Sequence, residues 1–139
     1  MPTNRPTNVE LLSAVRGFLK AEMLPLLGGT EKYHVQVAIN ALGILGRELT
    51  GGVQFDAAEQ ERLTSLVGAA GTREELNRLL CGRIRERKIT YRDPILIDHL
   101  VKTTMAKMSI DNPKYATYVS TLAKSQSASE PHVDQKQDG

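Results

Sequence analysis

Tryptophan is absent, and aromatic residues make up only 4% of the 139-residue chain. A core must therefore come from leucine, valine, isoleucine and alanine, a composition that suits close-packed helices better than an aromatic-rich sheet. A single cysteine excludes an internal disulfide framework and any zinc site built on paired cysteines. The formal net charge of +2 gives no reason to expect nucleic acid or an anionic membrane as partner. No apolar run approaches the roughly 20 residues of a membrane span. The opening MPTNRPTN lacks the apolar stretch of a signal peptide. The expectation from these absences is a cytoplasmic protein. With 40% apolar and 24% charged residues, the chain has the ordinary make-up of one globular domain.

What is present is a succession of helix start signals. Thr7 and Glu10 have capping-box spacing, as do Thr72 and Glu75. Asp93-Pro94 and Asn112-Pro113 pair a cap residue with proline, whose missing N–H costs nothing at the first helical position. These signals predict helix 1 to about Met23, ended by Pro25 and Gly28-Gly29, and helix 2 from Thr30 to about Thr50, stopped by Gly51-Gly52. A short helix 3 begins near Asp56 and carries Leu63, Leu66 and Val67. Helix 4 carries Leu76, Leu79, Leu80 and Ile84. Helix 5 runs from Pro94 to about Met108, and a short helix 6 follows Pro113. The fold expected is an all-α bundle of five or six helices, with helix 2 central. Residues 1–124 form that domain, and the polar segment 125–139 is expected to be a disordered tail.

Helix 2, YHVQVAINALGILGREL, raises the functional question. Val35, Ala38, Leu42, Leu45 and Leu49 form an apolar stripe, while Tyr33, Asn40 and Arg47 recur at seven-residue spacing on a second face. His34 and Glu48 lie on a third face, about 21 Å apart along the axis. Asn40 and its neighbours could form a ligand pocket with other helices. The plainer reading, preferred here, is a core helix whose polar groups are satisfied by adjacent elements. Arg16, at the edge of the helix 1 stripe, could likewise hold a carboxylate or phosphate, but an ion pair with Glu48 is preferred.

The remaining features are weaker. Glu31 and His34 have the E-x-x-H spacing of a di-iron bundle, but no second such motif exists, and no metal is expected. Arg83, Arg85, Arg87, Lys88 and Arg92 form a basic cluster that could hold an anion or an acidic surface. Cations closing a helix C-terminus explain most of it. Cys81 reads as a small buried residue, and Ser13 and Ser109 lie in no nucleophile motif. No cofactor and no catalytic residue are expected. In IDNPKY, Ile110 and Tyr115 read as a staple for the last helix.

Four segments taken in order, LLSAVRGFLKAEMLPLLGG, YHVQVAINALGILGREL, DPILIDHL and IDNPKY, resemble a bacterial family of small helical proteins catalogued as a domain of unknown function. The resemblance spans roughly residues 7 to 118. It implies genes encoded beside aminoglycoside-phosphotransferase-like kinases and acyl-CoA dehydrogenases, and supplies no mechanism. Two positions depart from the pattern. Gln36 stands where a basic residue is expected, and Glu86-Arg87 where a glycine turn is expected. Together these readings lead to a non-catalytic accessory protein that partners a kinase-like or acyl-CoA dehydrogenase-like enzyme. Helical pairing through an apolar face also permits a homodimer. The alternative is a small-molecule or anion (acyl-CoA-like) binding protein, or a weak enzyme, with a pocket near Tyr33, Asn40 and Arg47.

Overall fold

A computed structural model of the chain describes residues 4–128. Its secondary structure is helical throughout, with no strand among the described residues. Helix α1 (Asn8–Phe18) starts at the expected capping box, Glu10 N–H donating to Thr7 Oγ1 at 3.2 Å and Thr7 N–H to Glu10 Oε2 at 2.7 Å. It passes into one wide π turn, Leu19–Met23, and a tight 3₁₀ turn, Leu24–Leu26. Pro25 has no N–H to continue the ladder, so the helix unwinds there.

Helix α2 (Gly29–Val67) is the spine of the molecule, 39 residues and about 58 Å long. The sequence reading breaks it at Gly51-Gly52 into two helices, and the structure corrects this. Each glycine costs only about 1 kcal/mol in a helix interior. Nothing here demands a left-handed residue, and no proline intervenes. Continuing the helix carries Leu63 and Val67 into the main core, which outweighs the local cost. The left-handed residue comes later, at Gly68 (φ 64°), whose N–H closes α2 on the Thr64 carbonyl.

Helices α3 (Arg73–Arg85) and α4 (Pro94–Asp111) start as expected, at the Thr72–Glu75 capping box and at Asp93, whose Oδ1 accepts from Ile95 N–H at 2.9 Å. The Thr72 backbone and hydroxyl bonds hold the Glu75 carboxyl below its ordinary range. The α3 end is a Schellman motif: Lys88 N–H reaches the Arg83 carbonyl, Arg87 N–H reaches that of Ile84, and Arg87 itself sits at φ 58°. A positive φ favours glycine, so the glycine turn expected from the resemblance would fit this backbone, and Arg87 adopts it instead. Asn112 closes α4 rather than opening the next helix. Pro113 lies in a turn, and α5 (Ala116–Ala128) begins three residues beyond it. The helix carries through Ala128, so residues 125–128 belong to α5; the rest of the expected tail, 129–139, lies outside the described residues.

Helices α1, α3 and α4 all pack on α2. The fully buried cluster is Leu63, Val67, Leu76, Leu80 and Leu96, with Leu66, Ala69 and Ile89 against it. This core sits at the C-terminal end of α2, not on the stripe the sequence suggested. Of that stripe, Val35 and Leu42 are half-buried, while Ala38, Leu45 and Leu49 are exposed; Ile39 and Gly43 are the buried positions of that half. The α3 and α4 helices cover one end of the spine, while the other end has mainly the eleven-residue α1 against it.

Candidate functional site

Where α1 crosses α2, two arginines converge. Arg16 of α1 donates its Nε–H to the Ile39 carbonyl of α2 at 3.3 Å. Arg47 of α2 donates its Nε–H to the Ile110 carbonyl of α4 at 2.6 Å. Ile110 carries one of the last four carbonyls of its helix, which have no partner within the helix and lie at the negative end of its dipole. The last turn of α4 holds no cation of its own, so Arg47 supplies that charge from the neighbouring helix.

Gly43, buried between them, makes the convergence possible. A Cβ on Gly43 would lie 3.3 Å from Arg16 Cζ and Nε and 3.3 Å from Arg47 Nη1. The two guanidiniums are therefore no farther apart than twice that distance. Among the described residues, no carboxylate forms an ion pair with either. The expected Arg16–Glu48 pair is not formed. Glu48 instead lines a separate cleft with Arg62, Arg73 and Glu59.

The arginine pair faces two recesses. One, of about 440 Å³, is an apolar groove between Val9 and Leu12 of α1, Leu42 and Phe55 of α2, and Ile110 of α4. Gly46 lies along it, with nothing within 4 Å of where its Cβ would stand. The other, of about 470 Å³, is polar and bounded by Asn40, Asp111, Asn112 and Lys114. Asn40 thus meets Arg47 and Arg16 at one recess, with its side-chain oxygen accepting from Gln36 Nε2 at 3.1 Å. Tyr33 and His34 do not join them. They stand exposed near the start of α2, their rings 6.0 Å apart at 55°.

The basic cluster of Arg83, Arg85, Arg87, Lys88 and Arg92 lines none of these recesses. It closes α3 and forms the turn that follows. Lys88 pairs with Glu86 at 2.6 Å, and that hydrogen bond and charge lower the Glu86 carboxyl. Arg92 lies over the Tyr91 ring at 5.6 Å. Cys81 is exposed rather than buried, because it falls on the solvent side of α3 opposite Leu76 and Leu80.

One polar cluster escaped sequence reasoning. His99 of α4 is 3% exposed, and its Nδ1 has no hydrogen-bond partner among the described residues. Burial, then the neighbouring Arg62 charge, push its pKa down, against a smaller upward pull from Glu59 and Asp98. Arg62 donates to Thr103 Oγ1 at 3.3 Å, and its buried Nε is likewise without a partner. Arg73 pairs with both Asp56 and Glu59 beside it. The spacing of Asp56, Glu59 and Arg62 along one helix was the signal available, but a break placed at Gly51-Gly52 set it on a short separate helix. Among the described residues, no three histidine, cysteine, aspartate or glutamate side chains group as a metal site.

The fold and this geometry define an all-α protein organised on one long helix, with a two-arginine recess at the crossing of α1 and α2. Residues 25–115 match the family described as Domain of unknown function (DUF6285), and the chain belongs to it. The match begins at Pro25, so it includes Arg47 and Gly43 but not Arg16. No curated protein and no solved structure matches the chain.

Proposed function

We propose that this protein is a non-catalytic accessory protein that works by binding another protein. The observation that carries the reading is surface area. The chain exposes 11045 Å², whereas a compact monomer of 15.3 kDa exposes about 7,100 Å². Even fully extended, at about 1.45 Å² per dalton, the fourteen residues at 1–3 and 129–139 account for no more than about 2,200 Å². The rest of the excess belongs to the described helices: α5 does not pack on the spine as α1, α3 and α4 do, and Val15 and Phe18 of α1, Leu45, Leu49 and Val53 of α2, and Leu100 and Val101 of α4 are among the exposed large apolar side chains. Large apolar side chains exposed on three helices that share one spine support a protein–protein contact.

The partner we propose is an enzyme of the kinase-like or acyl-CoA dehydrogenase-like kind, a choice supported by the resemblance drawn from the sequence and not by any contact in the fold. No helix among the described residues is long and apolar enough to cross a membrane. Affinity capture of the tagged full chain at natural expression level, followed by mass spectrometry, tests the reading. Reproducible recovery of such an enzyme, lost on Leu49→Asp/Val53→Asp substitution, is the expected outcome. Recovery of the chain alone, with a dimer in light scattering of the purified protein, overturns it in favour of self-association.

A further inference from the structure

We propose that the arginine pair at the α1–α2 crossing is a binding site for a small amphipathic anion, an oxyanion head on an aliphatic body. This goes beyond the partner-docking reading and rests on different residues. Three features of the geometry carry it.

The first is uncompensated charge. Arg16 and Arg47 are brought together over Gly43 with no carboxylate paired to either among the described residues. Two guanidiniums at this separation repel, and an anion between them removes that repulsion. Asp111 borders the polar recess but pairs with neither arginine, and Lys114 on the same rim offsets its charge.

The second is orientation. Each arginine uses its Nε on a backbone carbonyl, Ile39 for one and Ile110 for the other. That orients each guanidinium and leaves its outer N–H groups without protein acceptors among the described residues. A planar fork held in this way suits a carboxylate or a phosphate.

The third is the groove. From the arginines an apolar channel runs between Val9, Leu12 and Phe55, with glycine at position 46 where a side chain would fill it. A bare inorganic anion would leave that channel wet. An aliphatic body continuing from the head would occupy it, in the usual manner of a site with few polar groups and an apolar wall.

Titration calorimetry of the full chain with octanoate, octyl phosphate, inorganic phosphate and the uncharged octyl glucoside tests the proposal. An octyl anion should bind at least about tenfold more tightly than inorganic phosphate, a factor worth about 1.4 kcal/mol, and octyl glucoside should not bind. Whichever of octanoate and octyl phosphate binds more tightly identifies the head group. Arg16→Gln should weaken the octyl anion at least tenfold, and Gly46→Leu should weaken it while sparing inorganic phosphate. In the ligand-free protein Arg16→Gln gives up the bond to the Ile39 carbonyl but relieves the repulsion, so the melting temperature should change little. Equal binding of octyl glucoside, no binding of either octyl anion, or a fall in melting temperature with unaltered anion binding would each overturn the site and make the arginines purely structural.

Discussion

Leu63 and Leu42 look alike in the sequence, both aliphatic and both on helical stripes of α2, yet their surroundings differ. Leu63 is 0% exposed within the main cluster, whereas Leu42 is half-buried beside the groove. Leu63→Ala should cost about 2–5 kcal/mol, the range for a large truncation with its cavity. Leu42→Ala should cost about 1 kcal/mol, in keeping with partial burial. Urea denaturation of the two variants checks the order, and equal losses would return the core to the N-terminal half of α2. His99 makes a second prediction. Its pKa is lowered in the fold, so the native state takes up a proton less readily than the unfolded chain, which titrates near pH 6.5. The stability this contributes is present above that pH and is lost as pH falls below it. Arg62 opposes protonation, and Glu59 and Asp98 favour it, so the direction rests on burial and Arg62 exceeding the two acids. The melting temperature should drop between pH 7.5 and 5.5, and His99→Gln should flatten that drop.

At the scale of elements, the decisive feature is the unbroken α2. Its glycine pair is tolerated because Gly51 and Gly52 adopt helical backbone like their neighbours, and the Phe55 ring and Glu48 chain lie across the space left by the missing side chains. Proline at position 51 discriminates the two architectures. Within a continuous helix it removes a ladder bond and clashes with the preceding turn, at a cost of about 3 kcal/mol or more. Between two separate helices it would be accepted with little change. Gly51→Pro should therefore destabilise strongly in thermal melts and lower the helical signal in circular dichroism. The capping boxes at Thr7 and Thr72 were legible in the sequence because they are local: both partners lie within three residues. The Gly51-Gly52 pair was misread for the opposite reason, since the packing that offsets its cost comes from α3 and α4.

For the whole molecule, the placement of α1, α3 and α4 around one spine leaves the apolar N-terminal half thinly covered. A chain of this size normally buries about two-thirds of the surface its unfolded form exposes. Here Leu45, Leu49 and Val53 on α2, with Val15 and Phe18 on α1, remain outside. The capture experiment reads this surface directly, because a partner that covers it should be lost when Leu49 and Val53 become charged. The anion experiment reads the recess between Arg16 and Arg47 and leaves that surface untouched.

Sequence by itself determined the helical class, the starts of α1, α3 and α4, their capping residues Thr7, Thr72 and Asp93, and the suspicion attached to Arg16, Asn40 and Arg47. Each depends on contacts within one or two turns, or on the chemistry of a single side chain. Tertiary structure alone decided that α2 is one helix, that the core lies around Leu63 and Leu76, and that His99 is buried. It also separated Tyr33 and His34 from Arg47 and brought Arg16 to it. Those outcomes depend on which helices lie against which half of the spine, where residues far apart in the chain supply the burial or the charge.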